Sequence, residues 1–241
     1  MRLIQFILFI LVIIVNFGIN ALFDTPFDDD IFVFIQPAGY AFAIWGPIFL
    51  GMIIYSWFQW KSGRVESPHL RNATIAGIFA ALASIAFVPL SFTNNQPLIF
   101  LNLLWHLIAL VLLFIHLRRQ LPLEANPNTR WFYLPTQMYL GWVCAATAVS
   151  LALALKSLGI DPGAETEIII TAIVVVALIV VGLFLAFQRG KIATLTIVWA
   201  LVALVVKNGE YLPIKWSAIA GIIILSGTVL FKTIKGEQLS F

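Results

Sequence analysis

Long runs of apolar residues alternate with short polar segments along the whole chain. A helix needs about 20 apolar residues to cross the hydrocarbon core of a bilayer, which is about 30 Å thick. By this measure we predict eight membrane-spanning helices, at about residues 3–23, 38–60, 72–93, 98–117, 132–155, 168–187, 192–206 and 214–231. The expected fold class is therefore an all-α polytopic membrane protein.

Two of these segments leave alternatives open. The N-terminal segment is similar to a signal peptide, but its apolar stretch is long and no Ala-x-Ala-like cleavage site follows, so we interpret it as a retained span. The seventh segment has only about 15 residues between Lys191 and Lys207, or about 22 Å of helix. We expect the bilayer to thin around it, the helix to extend through Asn208, or the segment to be partly re-entrant.

The composition agrees with a membrane location and limits the kinds of partner that we expect. Hydrophobic residues make up 61% of the chain and charged residues 10%, with a mean hydropathy of +1.01. Soluble domains carry roughly 25% charged residues. The basic residues are scattered through loops and form no stripe, so we expect no nucleic-acid partner. The only cysteine, Cys144, lies in an apolar run, which excludes disulfides within the chain and cysteine metal sites.

The distribution of basic residues predicts the orientation. If the N-terminus is cytoplasmic, the opposite side holds only Lys156, Lys207 and Lys215 of the 14 basic residues. Lysine and arginine concentrate on the cytoplasmic side of membrane proteins. We therefore expect both termini on the cytoplasmic side of a bacterial inner membrane. The opposite side carries the acidic triplet Asp28–Asp30, which is typical of a translocated loop or, alternatively, of a cation site.

None of the eight predicted spans contains an aspartate or a glutamate. Ion-coupled transporters usually place ionisable groups at membrane depth, and intramembrane enzymes need acids, bases or metal ligands there. We therefore do not expect an enzyme. Among ionisable groups, His106 is the one predicted to lie near the middle of a span.

The second span begins with an unusual segment, QPAGYAFAIWGP. Pro47 should kink this helix. Phe42, Trp45, Phe49 and Met52 recur at intervals of three and four residues, so they share one face. A kinked helix with an aromatic face can line a cavity. The alternative is that Trp45 belongs to the aromatic belt at the membrane interface.

Two further groups of residues support a cavity. In span five, Tyr139, Trp142 and Ala146 lie on one face, deeper in the membrane than an aromatic belt requires. In span four, Asn102 and His106 are four residues apart and share a face. We interpret these two as contacts to a ligand or to a ligand's metal. The alternative is an interhelical hydrogen bond.

Spans two and five together resemble the TspO/MBR family, the tryptophan-rich sensory proteins that include the peripheral benzodiazepine receptor. The residues that carry this resemblance are Pro37, Phe42, Trp45 and Gly51, and then Tyr139, Leu140, Trp142, Val143, Ala146 and Thr147. The chain departs from the family pattern at Met138, where the family has proline, and at Ser150, where it usually has asparagine. A run similar to the family's third-span motif, LNLLWH at residues 101–106, lies in the fourth span.

The resemblance implies a five-helix membrane domain over residues 1–155, followed by an additional three-helix segment over residues 156–241. It also implies a pocket that opens at the loop between the first two spans and binds a tetrapyrrole, such as protoporphyrin or haem, or a sterol-like or drug-like molecule, for sensing or transport. The expected ligand contacts are Pro37, Phe42, Trp45, Phe49, Tyr139, Trp142, Ala146, Asn102 and His106.

Two other functions remain open at this point. One is a pigment-associated or assembly subunit of a larger membrane complex, with His106 as a metal ligand. The other is a small-molecule permease. We expect the last three spans to pack against the first five or to provide a subunit interface. A homodimer is therefore one expected assembly. Membrane lipid is a further expected partner. The acidic outer loop offers no cation to the carboxylates of a porphyrin, which favours an uncharged or metal-bearing ligand, or entry from the lipid.

Overall fold

The computed structural model describes residues 1–18, 31–61, 67–120 and 132–236 of the chain. Within these ranges the chain forms eight α-helices and no β-strand, which confirms the predicted all-α fold class. The helices are α1 (Arg2–Ile13), α2 (Trp45–Lys61), α3 (Pro68–Ser91), α4 (Gln96–Gln120), α5 (Leu134–Ser157), α6 (Ala164–Phe187), α7 (Lys191–Asn208) and α8 (Leu212–Ile234). A π-helical turn, Ile14–Gly18, extends α1, and a 3-10 helix, Gly39–Ile44, precedes α2.

Seven of the helices in the described ranges, α2 to α8, are long and apolar enough to cross a membrane. The first helix covers Arg2–Gly18 with its π-helical turn and is shorter than these seven spans, the first of which is Gly39–Lys61 when the 3-10 helix is included. It packs against α2 and α3 and buries Phe9 and Val12 completely. The rest of the predicted first span and the triplet Asp28–Asp30 lie outside the described residues.

Local sequence explains how α3 begins. Ser67 precedes the helix and its hydroxyl accepts a hydrogen bond from the Leu70 N–H at 3.1 Å, so it satisfies one of the free donors of the first turn. Pro68 follows as the first helical residue, where a missing N–H costs nothing.

The structure resolves the alternatives for the seventh span. Helix α7 continues through Asn208 and contains 18 residues, which correspond to about 27 Å. Extension of the helix, rather than a re-entrant segment, is therefore what the structure shows.

The predicted kink at Pro47 stays a prediction. The chain changes from a 3-10 helix to an α-helix at Trp45, so Pro47 is the third residue of α2. The Trp45 N–H still donates to the Phe42 carbonyl of the 3-10 helix. Pro47 therefore lies next to a junction of two helical segments, and not ten residues inside one continuous α-helix.

Helix α5 lies at the centre of the bundle, in contact with α2, α4 and α7. Helix α8 packs against α6 and α7. The contact between α5 and α7 requires Gly141, because a Cβ atom at this position would meet the backbone carbonyl of Ala193 and the side chain of Thr196. Small residues allow close helix crossings of this kind in membranes. The proposed division at residue 155 stays a prediction.

We expect Gly141→Ala to destabilise the bundle by about 1–3 kcal/mol, because the methyl group would force two packed helices apart. Gly227→Ala in α8 is the matched control, since its Cβ would have nothing within 4 Å. Thermal unfolding of the purified protein in detergent measures both. An unchanged midpoint in Gly141→Ala would contradict the close crossing of α5 and α7.

Candidate functional site

The aromatic faces of α2 and α5 meet. The ring centroids of Trp45 and Trp142 are 6.0 Å apart with an interplanar angle of 86°, and Phe42 lies 5.6 Å from Trp142 in the same edge-to-face arrangement. Tyr139 lies 5.8 Å from Trp45 and 6.1 Å from Phe49. These distances are those of rings in direct contact. The rings therefore fill the space between the two helices, and the empty space lies beside them.

The first cavity, chamber A, has a volume of about 170 Å³. It lies beside the ring pair, with walls from α4, α5 and α7 and from the segment before α2. Five predicted ligand contacts line it: Pro37, Phe42, Trp45, Trp142 and Ala146. Helices α6 and α7 add Leu178, Ala200, Leu201 and Leu204. Two of the last three helices of the chain, α6 and α7, thus take part in this cavity.

The second cavity, chamber B, has a volume of about 410 Å³ and lies among α1, α2, α3 and α4. Four predicted contacts line it: Phe42, Trp45, Phe49 and His106. Six residues line both chambers: Gln36, Phe42, Trp45, Phe87, Ser91 and Leu103. The two chambers are therefore neighbours that share Phe42 and Trp45 in their walls, and together they are called the cleft. Small-molecule sites usually measure about 300–1,000 Å³.

Two predicted contacts do not line either chamber. Tyr139 stands behind the cleft, with its ring in edge-to-face contact with His106 at 4.8 Å. Asn102 donates a hydrogen bond to the Ala83 carbonyl at 3.0 Å and so joins α4 to α3, as the alternative interpretation expected. Ligand binding by the other seven residues stays a prediction.

The walls of the cleft are almost uncharged. Among the residues that the structure describes, His106 is the only ionisable side chain that lines either chamber. The same residues contain no group of three or more histidine, cysteine, aspartate or glutamate side chains that could hold a metal ion. The described walls therefore consist of apolar and aromatic surface with a few neutral polar groups.

Three polar atoms on lining residues have no hydrogen-bond partner in the described part of the chain. They are the Trp142 Nε1, the Ser150 Oγ and the His106 Nε2. A buried polar group without a partner costs about 1–3 kcal/mol. These three buried atoms belong to residues of the cleft walls.

The segment at residues 31–44, here called the strap, forms one wall of chamber A. Its backbone is held by side chains from distant helices. The Phe34 N–H donates to Glu167 Oε1 at 3.0 Å, and Asn208 Nδ2 donates to the Phe34 carbonyl at 2.8 Å. Trp199 Nε1 donates to the Ala41 carbonyl at 3.1 Å. Each of these bonds ties the strap to α6 or α7.

An ion pair completes the attachment of the strap. Lys156 Nζ and Glu167 Oε2 are 2.9 Å apart, and the same ammonium donates to the Phe32 carbonyl at 2.9 Å. Lys207 Nζ donates to Gln36 Oε1 at 3.0 Å. The strap was not predicted from the sequence. The polar residues at the ends of otherwise apolar helices, such as Glu167 and Asn208, were the available signal.

A family model described as TSPO-like protein matches residues 2–231. The chain belongs to the TSPO-like protein family. It is accordingly an integral membrane protein. The match to this TSPO-like family includes α6 and α7, the helices that hold the strap, and most of α8. No curated protein and no solved structure matches the chain.

We expect Asn208→Ala to loosen the strap, because the substitution removes the hydrogen bond from the Asn208 side chain to the Phe34 carbonyl. Ile35→Cys in a Cys144→Ser background provides a reporter, because Ile35 is a buried residue of the strap itself. Its alkylation by a maleimide should become roughly tenfold faster in Asn208→Ala.

Thr228→Ala is the control for this experiment, because Thr228 bonds only to Ile224 of its own helix. It should leave the alkylation rate unchanged. Equal rates in Asn208→Ala and in the unmodified reporter would show that this hydrogen bond does not hold the strap.

Proposed function

We propose that this TSPO-like protein binds an apolar ring compound, with tetrapyrroles such as protoporphyrin or haem as the first ligands to test, for sensing or transport. The observation that carries the proposal is the group of Phe42, Trp45 and Trp142, whose rings line chamber A while two of them also line chamber B. Binding without chemical conversion is part of the proposal, since the cleft offers aromatic surface and few reactive groups.

Aromatic contacts should contribute more to the affinity for a ligand here than the burial of apolar surface does. Lipid tails are as apolar as the cleft, so moving an apolar ligand out of the bilayer gains little from the hydrophobic effect. A ring that stacks on an indole gains about 0.5–1.5 kcal/mol beyond area burial. Phe42 remains 39% exposed and Trp45 is half-buried, so both rings have free surface for such contacts.

The membrane, the orientation and the assembly belong to the same proposal. The excess of lysine and arginine in alternate loops supports cytoplasmic termini in a bacterial inner membrane. We also propose a homodimer, because the lipid-facing surfaces of these helices would serve as a subunit interface. Measurement of the oligomeric state in detergent tests this part of the proposal.

We expect Trp45→Ala and Trp142→Ala each to weaken protoporphyrin binding by roughly three- to tenfold, because each removes an aromatic contact. The change in porphyrin absorption on titration measures this. Indole fluorescence is a poorer readout, because each substitution also removes a fluorophore.

Trp216→Ala is the control. This tryptophan in α8 is 60% exposed and lies outside both chambers. It should leave the affinity unchanged. If all three variants bind protoporphyrin as the parent does, or if the parent does not bind it, the cleft is not a protoporphyrin site.

A pigment-associated subunit is the second candidate function. It is favoured by His106, which is 2% exposed, lines chamber B and has no partner for Nε2 among the described residues. A neutral imidazole nitrogen in this state is a common metal ligand. On this alternative, gently purified protein carries a chromophore, and His106→Leu loses it. Colourless protein from the native membrane would speak against the alternative.

A further inference from the structure

We infer that a third cavity, here called the basic pocket, binds the phosphate group of an anionic phospholipid. It lies where α1 and α3 begin and α2 ends, and its volume is about 710 Å³. Its walls include Arg2, Leu3, Trp60, Ser67, Arg71 and Asn72. No residue of these walls lines chamber A or chamber B. The basic pocket is therefore a site separate from the cleft, and the inference goes beyond the proposed function.

Two arginines from different helices give the basic pocket its charge. Arg2 belongs to α1 and Arg71 to α3, and both line the pocket. The lining residues that the structure describes include no aspartate or glutamate. Arg71 is exposed and makes no ion pair with any described residue. The charged side chains of the described walls are therefore all positive.

The chemistry of these side chains suits a phosphate group. A guanidinium group is planar and donates two parallel hydrogen bonds to two oxygens of the same phosphate. The amide of Asn72, which lines the same pocket beside Arg71, adds a neutral donor. Basic pockets between transmembrane helices on the cytoplasmic side are typical binding sites for the headgroups of anionic lipids. On the proposed orientation, the basic pocket lies on that side.

Trp60 places the basic pocket at the level of the lipid headgroups. It is the last residue but one of α2 and is 37% exposed, and its ring stacks on Phe6 of α1 with 5.5 Å between the centroids. Tryptophan is enriched where a span meets the membrane interface. The ammonium of Lys61 lies 4.3 Å from the centroid of the same ring and adds a cation beside the pocket. The pocket is thus at the depth where a bilayer carries its phosphates.

An exposed apolar stripe leads from the basic pocket along the first helix. Leu3 lines the pocket, and Ile7, Ile10 and Ile14 follow it at intervals of three and four residues on the same face. These four side chains are between 37% and 58% exposed. A phospholipid with its phosphate between the two arginines can lay an acyl chain along this stripe. A soluble phosphate compound has no part that contacts the stripe, so the stripe favours a lipid.

A matched set of compounds tests the inference. Phosphatidylglycerol carries a net negative phosphate, phosphatidylcholine neutralises the same phosphate within its headgroup, and glycerophosphoglycerol is the headgroup of phosphatidylglycerol without acyl chains. Native mass spectrometry of the purified full-length protein during titration measures the binding of each. We expect phosphatidylglycerol to bind about tenfold more tightly than phosphatidylcholine. Glycerophosphoglycerol should not displace phosphatidylglycerol at equal concentration.

Substitution of the arginines should remove this preference. We expect Arg2→Gln and Arg71→Gln each to weaken phosphatidylglycerol binding about three- to tenfold, because each removes a charged donor from the pocket. Arg71→Lys keeps the charge and should retain most of the affinity. Lys235→Gln is the matched control, since it removes one positive charge after the end of α8, outside the pocket and on the same proposed side of the membrane. It should leave the affinity unchanged.

Three results would overturn the inference. Equal affinities of the parent protein for phosphatidylglycerol and phosphatidylcholine would show that the charge of the phosphate is not recognised. An equal loss in Lys235→Gln would show a general attraction to the basic surface instead of a site. Displacement of phosphatidylglycerol by an equal concentration of glycerophosphoglycerol would show that the pocket binds a soluble phosphate compound. The comparison of the two lipids uses the parent protein, so it stands even if a variant fails to fold.

Discussion

Every polar group inside a bilayer needs a partner from the protein, because the hydrocarbon supplies none. This constraint separates the two polar regions of the molecule. Along the strap, backbone groups of Phe34 and Ala41 are matched by Glu167, Asn208 and Trp199. Beside the strap, in the cleft, polar atoms of lining residues have no partner within the described residues. The first region has its polar groups satisfied, and the second is the candidate site of the proposed function.

The position of the cleft follows from how the helices approach one another. Gly141 brings α7 close to α5, while the large rings of Trp45 and Trp142 meet between α2 and α5. A close crossing on one side and bulky side chains on the other leave space beside the rings. The strap then forms a wall of that space, and the helices that hold the strap also line chamber A. Helices α6 and α7 therefore contribute to the candidate site directly, and α8 packs against both of them.

Much of the fold could be predicted from the sequence, since transmembrane helices follow from the length of apolar runs. Helical spacing placed Phe42 with Trp45 on one face and Tyr139 with Trp142 on another, because it determines which side chains of one helix lie together. That the two faces meet does not follow from spacing, and only the family resemblance suggested it. The strap was not predicted. Its bond between Phe34 and Asn208 joins residues 174 positions apart, and such contacts leave no periodic pattern in the chain.

At Pro47 and Asn102 the structure differs from what the sequence predicted, and each difference has a local cause. Pro47 was expected within a continuous helix, where it would break a hydrogen bond, but the α-helix begins two residues before it. Asn102 was expected to contact a ligand, but the carbonyl of Ala83 lies within its reach. In both cases the residue type indicated an unusual position in the helix. What the residue does there depends on neighbouring groups that the sequence does not reveal.

The central claim is that the space beside the Trp45 and Trp142 rings receives the ligand. An experimental structure of the protein in lipid, determined with and without protoporphyrin, tests it most directly. We predict additional density in the cleft, in contact with Phe42, Trp45 and Trp142, and absent from the unliganded protein. Density only at lipid-facing rings such as Trp105 or Trp216, with the cleft unchanged, would contradict the claim.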